Sequence, residues 1–408
     1  MICSARHDTT CVVCACGKAW SSRQSSLDTL ADILAQTCRT RWVGGYSVDS
    51  DMPIGTVLSY PAPSNKGIAL FHYTWPFIWF LSSLLHRDLL PDFSRQFCSI
   101  VIEEVSGHVV SLLPIMTAFR RLSPELVLAF NVVDESDIAR VEKSGFLALP
   151  GGADGWIDDT FWTPARRVAR DYDVLLCSTG LHNNLADVKR VDWLMSRYAR
   201  AGRKERVAVV HFDGPGESVR WAADLRPGCV TWITSPVTSA EMRGLYQRSR
   251  AFGLMSDREG GSRYLAEAVS CGCVPIVSSR RQSHHAYQAL RDAGGISTAP
   301  EGFWDEVSTL KTLRKQSLIL PTALGLFSAR VSLSRFVHLL ANAGENLAIP
   351  RRDIYLQPEI PRHLHRPFPE PFGSAIPVIP GSYSQNPSTL PSVDFLGVAE
   401  ALRQQLKG

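Results

Sequence analysis

Short apolar runs alternate with stretches of helical length in the first third of the chain. The runs are IGTVLSY (54–60), GIALFHY (67–73), CSIVIEE (98–104) and ELVLAFNVV (125–133). Strand-length runs separated by helix-length segments are typical of parallel βαβ units. The pattern therefore predicts an α/β domain in this part of the chain.

The most apolar stretch of the chain is GIALFHYTWPFIWFLSSLL, residues 67–85. It contains His72 and Pro76, and it barely reaches the roughly 20 apolar residues that a membrane-spanning helix needs. A buried strand followed by a buried helix is the prediction. A helix that lies in a membrane surface stays an alternative.

A second series of strands and helices is predicted from residue 171 onward. DYDVLLCSTG (171–180), RVAVVHFDGPG (206–216) and GCVTWITS (228–235) are strand-like, and SAEMRGLYQRSRAFGLMS (239–256) is a helix followed by a strand. In the helix after the first of these strands, Val191, Leu194, Met195 and Tyr198 fall on one face, and Gly202 suits its end. A second α/β domain follows from this repetition.

Composition shifts set the predicted domain boundaries. Residues 145–166, GFLALPGGADGWIDDTFWTPAR, are rich in glycine and acids and predict an interdomain crossing. Ten of the 25 prolines lie between Pro350 and Pro391, which excludes regular packed elements there. We predict a divergent leader (1–50), an N-terminal Rossmann-like domain (51–165), a C-terminal Rossmann-like domain (166–345) and a Pro-rich arm with a terminal helix (346–408). Two doubly wound α/β domains with a cleft between them bind ligands at the carboxyl ends of their strands.

Charge and cysteine content bear on partners, location and metal binding. The chain has 408 residues and a net charge of +4, so nucleic acid is not indicated as a partner. Scattered cysteines and the absence of a signal-peptide pattern predict a cytoplasmic protein with reduced thiols. Cys11, Cys14, Cys16 and His7 form half of a zinc pattern, but no second half follows, so we predict no metal site.

Two glutamates stand out in LMSDREGGSRYLAEAVSCGCVPIVSS, residues 254–279. Glu259 lies in a glycine turn, and Glu267 lies inside the helix that follows, with Ser262 suited to cap that helix and Gly272 to end it. Amides at a helix start bind phosphate. The carboxylates are predicted about 10 Å apart, which is too far for the pair of a retaining glycoside hydrolase but suits the two hydroxylated ends of a nucleotide-sugar.

The same stretch resembles the E-x(7)-E signature of retaining GT-B glycosyltransferases of the large "group 1" family. LYQRSRAFGLMS (245–256) resembles the helix and strand before that signature, LPGGADGWIDDTFWTP (149–164) its "pNGvDtxxFxP" segment, and STGLHNNLADVKRVDWLM (178–195) its phosphate-binding loop and helix. The resemblance covers roughly residues 120–345 and is strongest over 240–280.

The resemblance implies roles for individual residues. Glu259 would contact the donor sugar, Glu267 the ribose, and Lys189 the phosphates. The backbone amides that would face the sugar and the diphosphate belong to Gly260, Gly261 and Ser262.

One loop departs from the family pattern. The chain has Ser178-Thr179-Gly180 where the family has Gly-Arg, so Thr179 and Gly180 are predicted to border the donor without the arginine. The cations that would replace it are Arg190, Arg258 or Arg263. The family's N-terminal histidine corresponds to His108, with His72 as the competitor.

Each of these residues also has an ordinary structural explanation. Lys189 and Arg190 are also consistent with a solvated helix face, Glu259 with an acid that responds to the helix dipole, Glu267 with a solvent-facing residue, and either histidine with a core residue.

The sequence thus predicts a metal-independent, retaining glycosyltransferase that uses a UDP-, GDP- or other nucleoside-diphosphate sugar and no cofactor. The alternatives are a phosphorylase or epimerase-type enzyme on the same fold, and a non-catalytic nucleotide-sugar-binding relative. The acceptor stays open among a glycan, a lipid-linked sugar, a protein and a modified nucleobase, as does a peripheral contact with a membrane.

Overall fold

The structure, a computed structural model, describes most of the chain between residues 37 and 348. The described ranges are 37–41, 47–53, 55–59, 61–71, 74–86, 90–103, 107–165, 168–178, 190–211, 224–234, 237–256, 261–280, 285–310 and 319–348. They divide into two compact units. The first contains the described residues up to 132, residues 136–150 and the described residues from 334; the second contains 133–135 and the described residues from 151 to 333.

The described residues of the first unit form seven strands and four helices before residue 151. The strands are β1 (Thr37–Arg41), β2 (Ser47–Pro53), β3 (Gly55–Ser59), β4 (Gly67–Phe71), β5 (Phe97–Ile102), β6 (Val127–Val132) and β7 (Leu147–Pro150). The helices are α1 (Thr74–His86), α2 (Leu90–Gln96), α3 (His108–Leu122) and α4 (Glu135–Lys143).

The strands of the first unit form a five-stranded sheet in chain order, β3-β4-β5-β6-β7, while β1 and β2 pair separately. β3 is antiparallel to β4, and the other pairs are parallel. Right-handed crossovers between successive neighbours place all the connecting helices on one face of the sheet. In agreement, one apolar core contains residues of α1 to α4 together with alternate residues of the strands, such as Ala69, Phe71, Leu128 and Phe130.

The end of the described chain returns to the first unit. Helix α11 (Ala329–Asn342) begins in the second unit, and its residues from 334 onward belong to the first. Beyond it, the Lys66 amide donates to the carbonyl of Asn346 at 2.7 Å and the Ala348 amide donates to the carbonyl of Lys66 at 2.8 Å. The Lys66 ammonium lies 3.1 Å from the Glu345 carboxylate. The first unit is therefore closed by a segment from the far end of the chain.

The described residues of the second unit form six strands and their own set of helices. The strands are β8 (Tyr172–Ser178), β9 (Val207–His211), β10 (Val230–Ile233), β11 (Ser249–Leu254), β12 (Val274–Ser278) and β13 (Ile296–Thr298). The helices are α5 (Val191–Arg200), α6 (Ser239–Arg248), α7 (Arg263–Ser270), α8 (His285–Asp292), α9 (Phe303–Thr309) and α10 (Ile319–Phe327), with short 3-10 turns at Ala153–Trp156 and Pro300–Gly302.

The sheet of the second unit is doubly wound. Its order is β10-β9-β8-β11-β12-β13, and every pair is parallel. Strands β9 and β10 are added on one side of β8, and β11, β12 and β13 on the other. This is the strand order of a dinucleotide-binding fold. The four consecutive residues Val174 to Cys177 of β8 are all buried in one core, as expected for a strand covered on both faces.

The predicted α/β fold with parallel sheets is confirmed. The stretch 67–85 is β4 followed by most of α1, and no described helix is both long and apolar enough to cross a bilayer. The predicted helical face of Val191, Leu194, Met195 and Tyr198 is the buried face of α5. The sequence analysis did not predict the pair β1–β2, strand β13 or helix α11. The Pro-rich segment from 350 onward lies outside the described residues.

Candidate functional site

The place where the strand order of the second sheet reverses lies between β8 and β11. Ligands of open α/β sheets bind in the crevice at the carboxyl ends of such strands, because the two connections leave in opposite directions. Two of the predicted donor segments follow these strand ends along the chain. Their residues Thr179, Gly180 and Lys189 after β8, and Arg258, Glu259 and Gly260 after β11, lie outside the described residues.

The structure describes the start of helix α7. Gly261 has φ +83°, in the left-handed region that favours glycine. Ser262 is the N-cap, and its hydroxyl accepts from the Leu265 amide at 3.3 Å. The helix ends at Ser270, and Gly272, with φ +89°, follows its C-cap. The capping and ending residues predicted for this helix are therefore confirmed.

A buried carboxylate lies against this turn. Asp154, only 2% exposed, accepts from the Gly152 amide at 3.0 Å. A Cβ atom added to Gly261 would lie 2.7 Å from the Asp154 Oδ1 atom and 3.1 Å from the Cα atom of Gly152. A side chain at position 261 would therefore displace Asp154 or the backbone, so glycine is required here for two independent reasons.

The segment that carries Asp154 is fastened to the end of α10 and the start of α11. The Ile157 amide donates to the Phe327 carbonyl at 2.8 Å, and the Ala329 amide donates to the Ile157 carbonyl at 3.0 Å. The Asp159 carboxylate accepts from the Ser328 hydroxyl at 2.9 Å and from the Arg330 guanidinium at 2.8 Å. The segment that follows Asp154 is thus hydrogen-bonded to the end of α10 and the start of α11.

Glu267 lies inside α7 and is only 3% exposed. Its Oε2 atom accepts from the Tyr246 hydroxyl at 3.1 Å, and its Oε1 atom lies 3.7 Å from the Arg263 guanidinium one turn earlier. The solvent-facing alternative for Glu267 is therefore wrong. Its carboxylate belongs to a buried network of Tyr246, Glu267 and Arg263, which we call the α6–α7 network.

Tyr246 is packed on several sides. Its ring contacts the rings of Trp162 and Phe252, with centroids 5.7 and 5.9 Å away, and its carbonyl accepts from the Arg170 guanidinium at 3.2 Å. Burial, and after it the charge of Glu267, raise the pKa of the Tyr246 hydroxyl well above its ordinary value. The hydroxyl therefore stays protonated at physiological pH and serves as a hydrogen-bond donor.

Arg190 directly precedes α5, in the segment of the chain that follows β8. It has φ 57°, in the left-handed region. The pKa of the Glu301 carboxyl is lowered by its own backbone amide, by Arg280 and by Arg190. Since Glu301 follows the carboxyl end of β13, the charge of Arg190 acts at the edge of the sheet where the strands end.

The predicted histidine site belongs to the first unit. His108 is the first residue of α3, after Gly107 with φ +82°, and its side chain, like all of His72, lies outside the described part. Next to it, the fully buried Glu103 accepts from the Val109 amide at 3.0 Å. Gly261, Ser262, Glu267 and Arg190 belong to the second unit.

Cys11, Cys14, Cys16 and His7 lie outside the described residues, within which no group of three or more His, Cys, Asp or Glu side chains is arranged to hold a metal ion.

Sequence reasoning did not single out Tyr246 or Asp154, which contact the predicted site residues Glu267 and Gly261. Tyr246 stands next to the buried Leu245 on the apolar side of α6, where an aromatic residue is ordinarily a core residue. Asp154 lies in a glycine-rich turn. The only feature of the sequence that could have indicated its position near Gly261 is a carboxylate between glycines. Arg263 entered the prediction only as one of three replacements for the absent loop arginine.

No protein-family model and no curated protein matches the sequence. Several solved structures are similar in backbone. TarM is 8% identical, with 60% of this chain and 50% of that chain covered at a TM-score of 0.44. The pneumococcal O-GlcNAc transferase GtfA, in complex with UDP and GlcNAc, is 13% identical, with 65% and 59% covered at 0.46.

The lipopolysaccharide outer core galactosyltransferase WaaB is 16% identical, with 65% of this chain and 81% of that chain covered at a TM-score of 0.46. The chain thus spans about half the length of TarM and most of the length of WaaB. These values describe a distant likeness, so the proposal of function below rests on the residues of this chain.

Proposed function

We propose that the protein is a glycosyltransferase that moves a sugar from a nucleoside-diphosphate sugar to an acceptor hydroxyl with retention of anomeric configuration. The observation that carries the proposal is the position of the E-x(7)-E stretch in the fold. It follows β11, one of the two strands at which the sheet order reverses, and it leads into a capped helix with a left-handed glycine before it.

The chemistry of the proposed reaction explains the residue types. The bond between sugar and phosphate breaks while negative charge gathers on the phosphate. The amides at the start of α7, with Lys189 and either Arg190 or Arg258, would stabilise this charge without a metal ion. The departing phosphate would take the acceptor's proton, since no dedicated base is assigned. His108 would lie on the acceptor side.

The two glutamates have separate roles in this proposal. Glu259 would contact the donor sugar, whose charge changes in the transition state, and Glu267 would accept hydrogen bonds from the ribose. A carboxylate offers about four lone-pair positions. Tyr246 and Arg263 lie against one oxygen each, and in the proposed complex a ribose hydroxyl would donate to the same carboxylate. Glu267 can therefore belong to the buried network and still serve the donor.

The first experiment is a thermal-shift screen against UDP-, GDP-, ADP- and TDP-sugars and the free nucleoside diphosphates. A ligand that binds the native state raises the melting temperature, so at least one nucleotide is expected to stabilise the protein. The same sugar nucleotide, labelled in the sugar, is then incubated with glycan, lipid-linked sugar and protein acceptors. Transfer with retained configuration supports the proposal.

The alternatives give different results. Release of a sugar phosphate in the presence of inorganic phosphate would indicate a phosphorylase, and a changed sugar on an intact nucleotide would indicate an epimerase. Stabilisation without turnover of any donor would indicate a non-catalytic binding protein. If no nucleotide stabilises the protein, the donor site itself is wrong. Sedimentation with anionic vesicles tests the peripheral membrane contact separately.

A further inference from the structure

The amino-terminal edge of the second sheet carries several arginines. β8, β9 and β11 are parallel neighbours, so their first residues lie along one edge of the sheet, opposite to the carboxyl ends where the donor site is proposed. Arg206 directly precedes β9, and Arg248 and Arg250 flank Ser249, the first residue of β11. We call Arg206, Arg248 and Arg250 the arginine edge.

Contacts with the start of β8 bring two of these arginines together. The Arg248 guanidinium lies 3.7 Å from the Asp171 carboxylate and 5.8 Å from the centre of the Tyr172 ring. The Arg250 guanidinium lies 3.5 Å from the Asp173 carboxylate. Both guanidinium groups therefore lie beside the same three consecutive residues, where β8 begins.

The charge that faces solvent at this edge is mainly positive. Arg206 joins the same place, because its amide donates to the Asp173 carboxylate at 2.9 Å, while its guanidinium donates to a neutral backbone carbonyl at 3.0 Å. Asp173 is buried and Asp171 is half-exposed. Arg206 is exposed, and the side chains of Arg248 and Arg250 are 42% and 41% exposed. The arginine edge is therefore available to an anionic partner.

An exposed apolar side chain lies close to the arginine edge. Val168 is 44% exposed, and among the described residues it is the one large apolar side chain exposed to this extent. It precedes Tyr172, the first residue of β8, by four residues, so it lies at most about 14 Å from it. A single exposed valine is ordinary on a protein surface. Arginines beside an apolar residue and a tyrosine ring, however, match the layers of a lipid headgroup region.

We propose that this edge binds the surface of a membrane that contains anionic phospholipids, with the arginine edge against the lipid phosphates and Val168 in the headgroup layer. Arginine suits this position, because its guanidinium is weakly hydrated and binds phosphate with two parallel hydrogen bonds. The exposed valine favours a lipid surface over a nucleic acid, which offers phosphates without an apolar layer. The inference goes beyond the proposed function and does not depend on it, since lipid and nucleotide would bind at opposite edges of the sheet.

The test is sedimentation of the full-length protein with lipid vesicles. The wild type is expected to bind vesicles of phosphatidylglycerol and phosphatidylcholine more tightly than vesicles of phosphatidylcholine alone, and to lose this preference as salt screens the charges. Arg206→Gln combined with Arg248→Gln removes two charges while each side chain keeps a donor, so binding to the anionic vesicles should fall about 25-fold, or about fivefold for each arginine. Val168→Trp should strengthen binding, because tryptophan prefers the membrane interface.

The matched control makes the same change of charge in the first unit. Arg95 and Arg140 are exposed and each is paired with an aspartate three residues earlier, as Arg248 is paired with Asp171. Arg95→Gln combined with Arg140→Gln is expected to bind anionic vesicles as the wild type does. The melting temperatures of both double variants should stay close to that of the wild type, because all four side chains are exposed, and this measurement excludes unfolding as the cause of lost binding.

The inference is overturned if the wild type shows no preference for anionic vesicles, or if both double variants lose binding equally. A Val168→Trp variant that binds no more tightly than the wild type overturns the position of residue 168 in the headgroup layer. Binding of single-stranded RNA or DNA that depends on Arg206 and Arg248, with no binding to vesicles, assigns the edge to nucleic acid instead. The proposed function is tested by nucleotide binding and sugar transfer, so either can fail while the other stands.

Discussion

The two parallel sheets of this protein differ in how the chain winds through them. In the first unit the described strands of the main sheet follow one another in chain order, whereas in the second the order reverses at β8 and β11. A reversal leaves two neighbouring strand ends whose connections separate, and this opens a crevice. A sheet wound in one direction offers no such place among its described strands.

A buried glutamate in each unit shows the same contrast. Glu103 in the first unit accepts from the Val109 amide at the start of α3, which is an ordinary way to satisfy a helix end. Glu267 in the second unit instead faces Tyr246 and Arg263. Burial alone therefore does not distinguish the two carboxylates; they differ in the kind of partner described for each and in the sheet to which they belong.

The largest expected effect is that of Glu267→Ala. The substitution removes the carboxylate that pairs with Arg263 and accepts from Tyr246, so we expect the second unit to lose about 3–5 kcal/mol of stability. Hydrogen exchange, which reports on each unit separately, measures it, and calorimetry should show weaker binding of the nucleoside diphosphate. Glu103→Ala should destabilise the first unit and leave nucleotide affinity unchanged. Equal loss of affinity in both variants would break the comparison.

Glu259→Gln tests the orientation of the donor. If Glu259 contacts the reacting sugar, its interaction strengthens in the transition state, so kcat should fall about a hundredfold while nucleoside-diphosphate affinity is kept. Glu267→Ala should mainly raise the donor KM. Steady-state rates beside calorimetry on both variants provide the measurement. If Glu259→Gln loses affinity for the nucleoside diphosphate and Glu267→Ala keeps it, the donor lies in the site in the opposite orientation.

Lys189→Ala tests the proposed phosphate contact of the segment after β8. Loss of a charge-assisted contact with phosphate should cost about 1.5–3 kcal/mol, which corresponds to roughly ten- to a hundredfold in turnover. Lys66→Ala is the control in the first unit, where the ammonium is paired with Glu345 at 3.1 Å. Unchanged kinetics of Lys189→Ala would assign the phosphate contact to another cation, such as Arg190.

Gly261→Ala and Gly107→Ala form a matched pair. Their φ angles are +83° and +82°, so each substitution should cost about 1–2 kcal/mol of backbone strain. A Cβ atom at 107 meets nothing within 4 Å, whereas at 261 it meets Asp154, which should add about 1 kcal/mol. Only Gly261→Ala should weaken nucleotide binding. Equal melting temperatures for the two variants would contradict the role given to Asp154.

The smallest expected effect is that of chelation. Because amides and basic side chains are proposed to stabilise the leaving phosphate, turnover should be unchanged in EDTA, and so should the melting temperatures of the protein. Activity that is abolished by EDTA and restored by Mn²⁺ would contradict the proposed mechanism.

The sequence predicted what short-range periodicity and turn chemistry determine. The strands around 67–71, 97–102, 127–132 and 172–178 and the face of α5 follow from alternating apolar segments. The cap at Ser262 follows from its place before an apolar helix. Strand β13 has only three residues and gives no periodic signal, and the order of strands depends on crossings that no local pattern encodes.

The partners of Glu267 could not be predicted for a related reason. Arg263 is four residues away, and the spacing makes the pair predictable. Tyr246 is 21 residues earlier in the sequence and reaches Glu267 only because α6 and α7 pack together in the folded unit. Asp154 is farther still from Gly261. Contacts between residues so far apart in the sequence depend on the fold. A motif defined by spacing along the chain includes only one of the two residues in each such contact.

The passage of α11 from one unit to the other has a consequence for inheritance. The first unit includes residues 334–348, and the backbone of Asn346 and Ala348 pairs with Lys66. A single cut in the chain therefore cannot separate the two units. A gene fragment that ends before α11 encodes a first unit without its last segment. A fragment that begins at β8 encodes that segment without Lys66, with which its backbone pairs. Shuffling, duplication or separate expression of the halves would therefore have to exchange two stretches of coding sequence at once, which favours transmission of the whole chain as one hereditary unit.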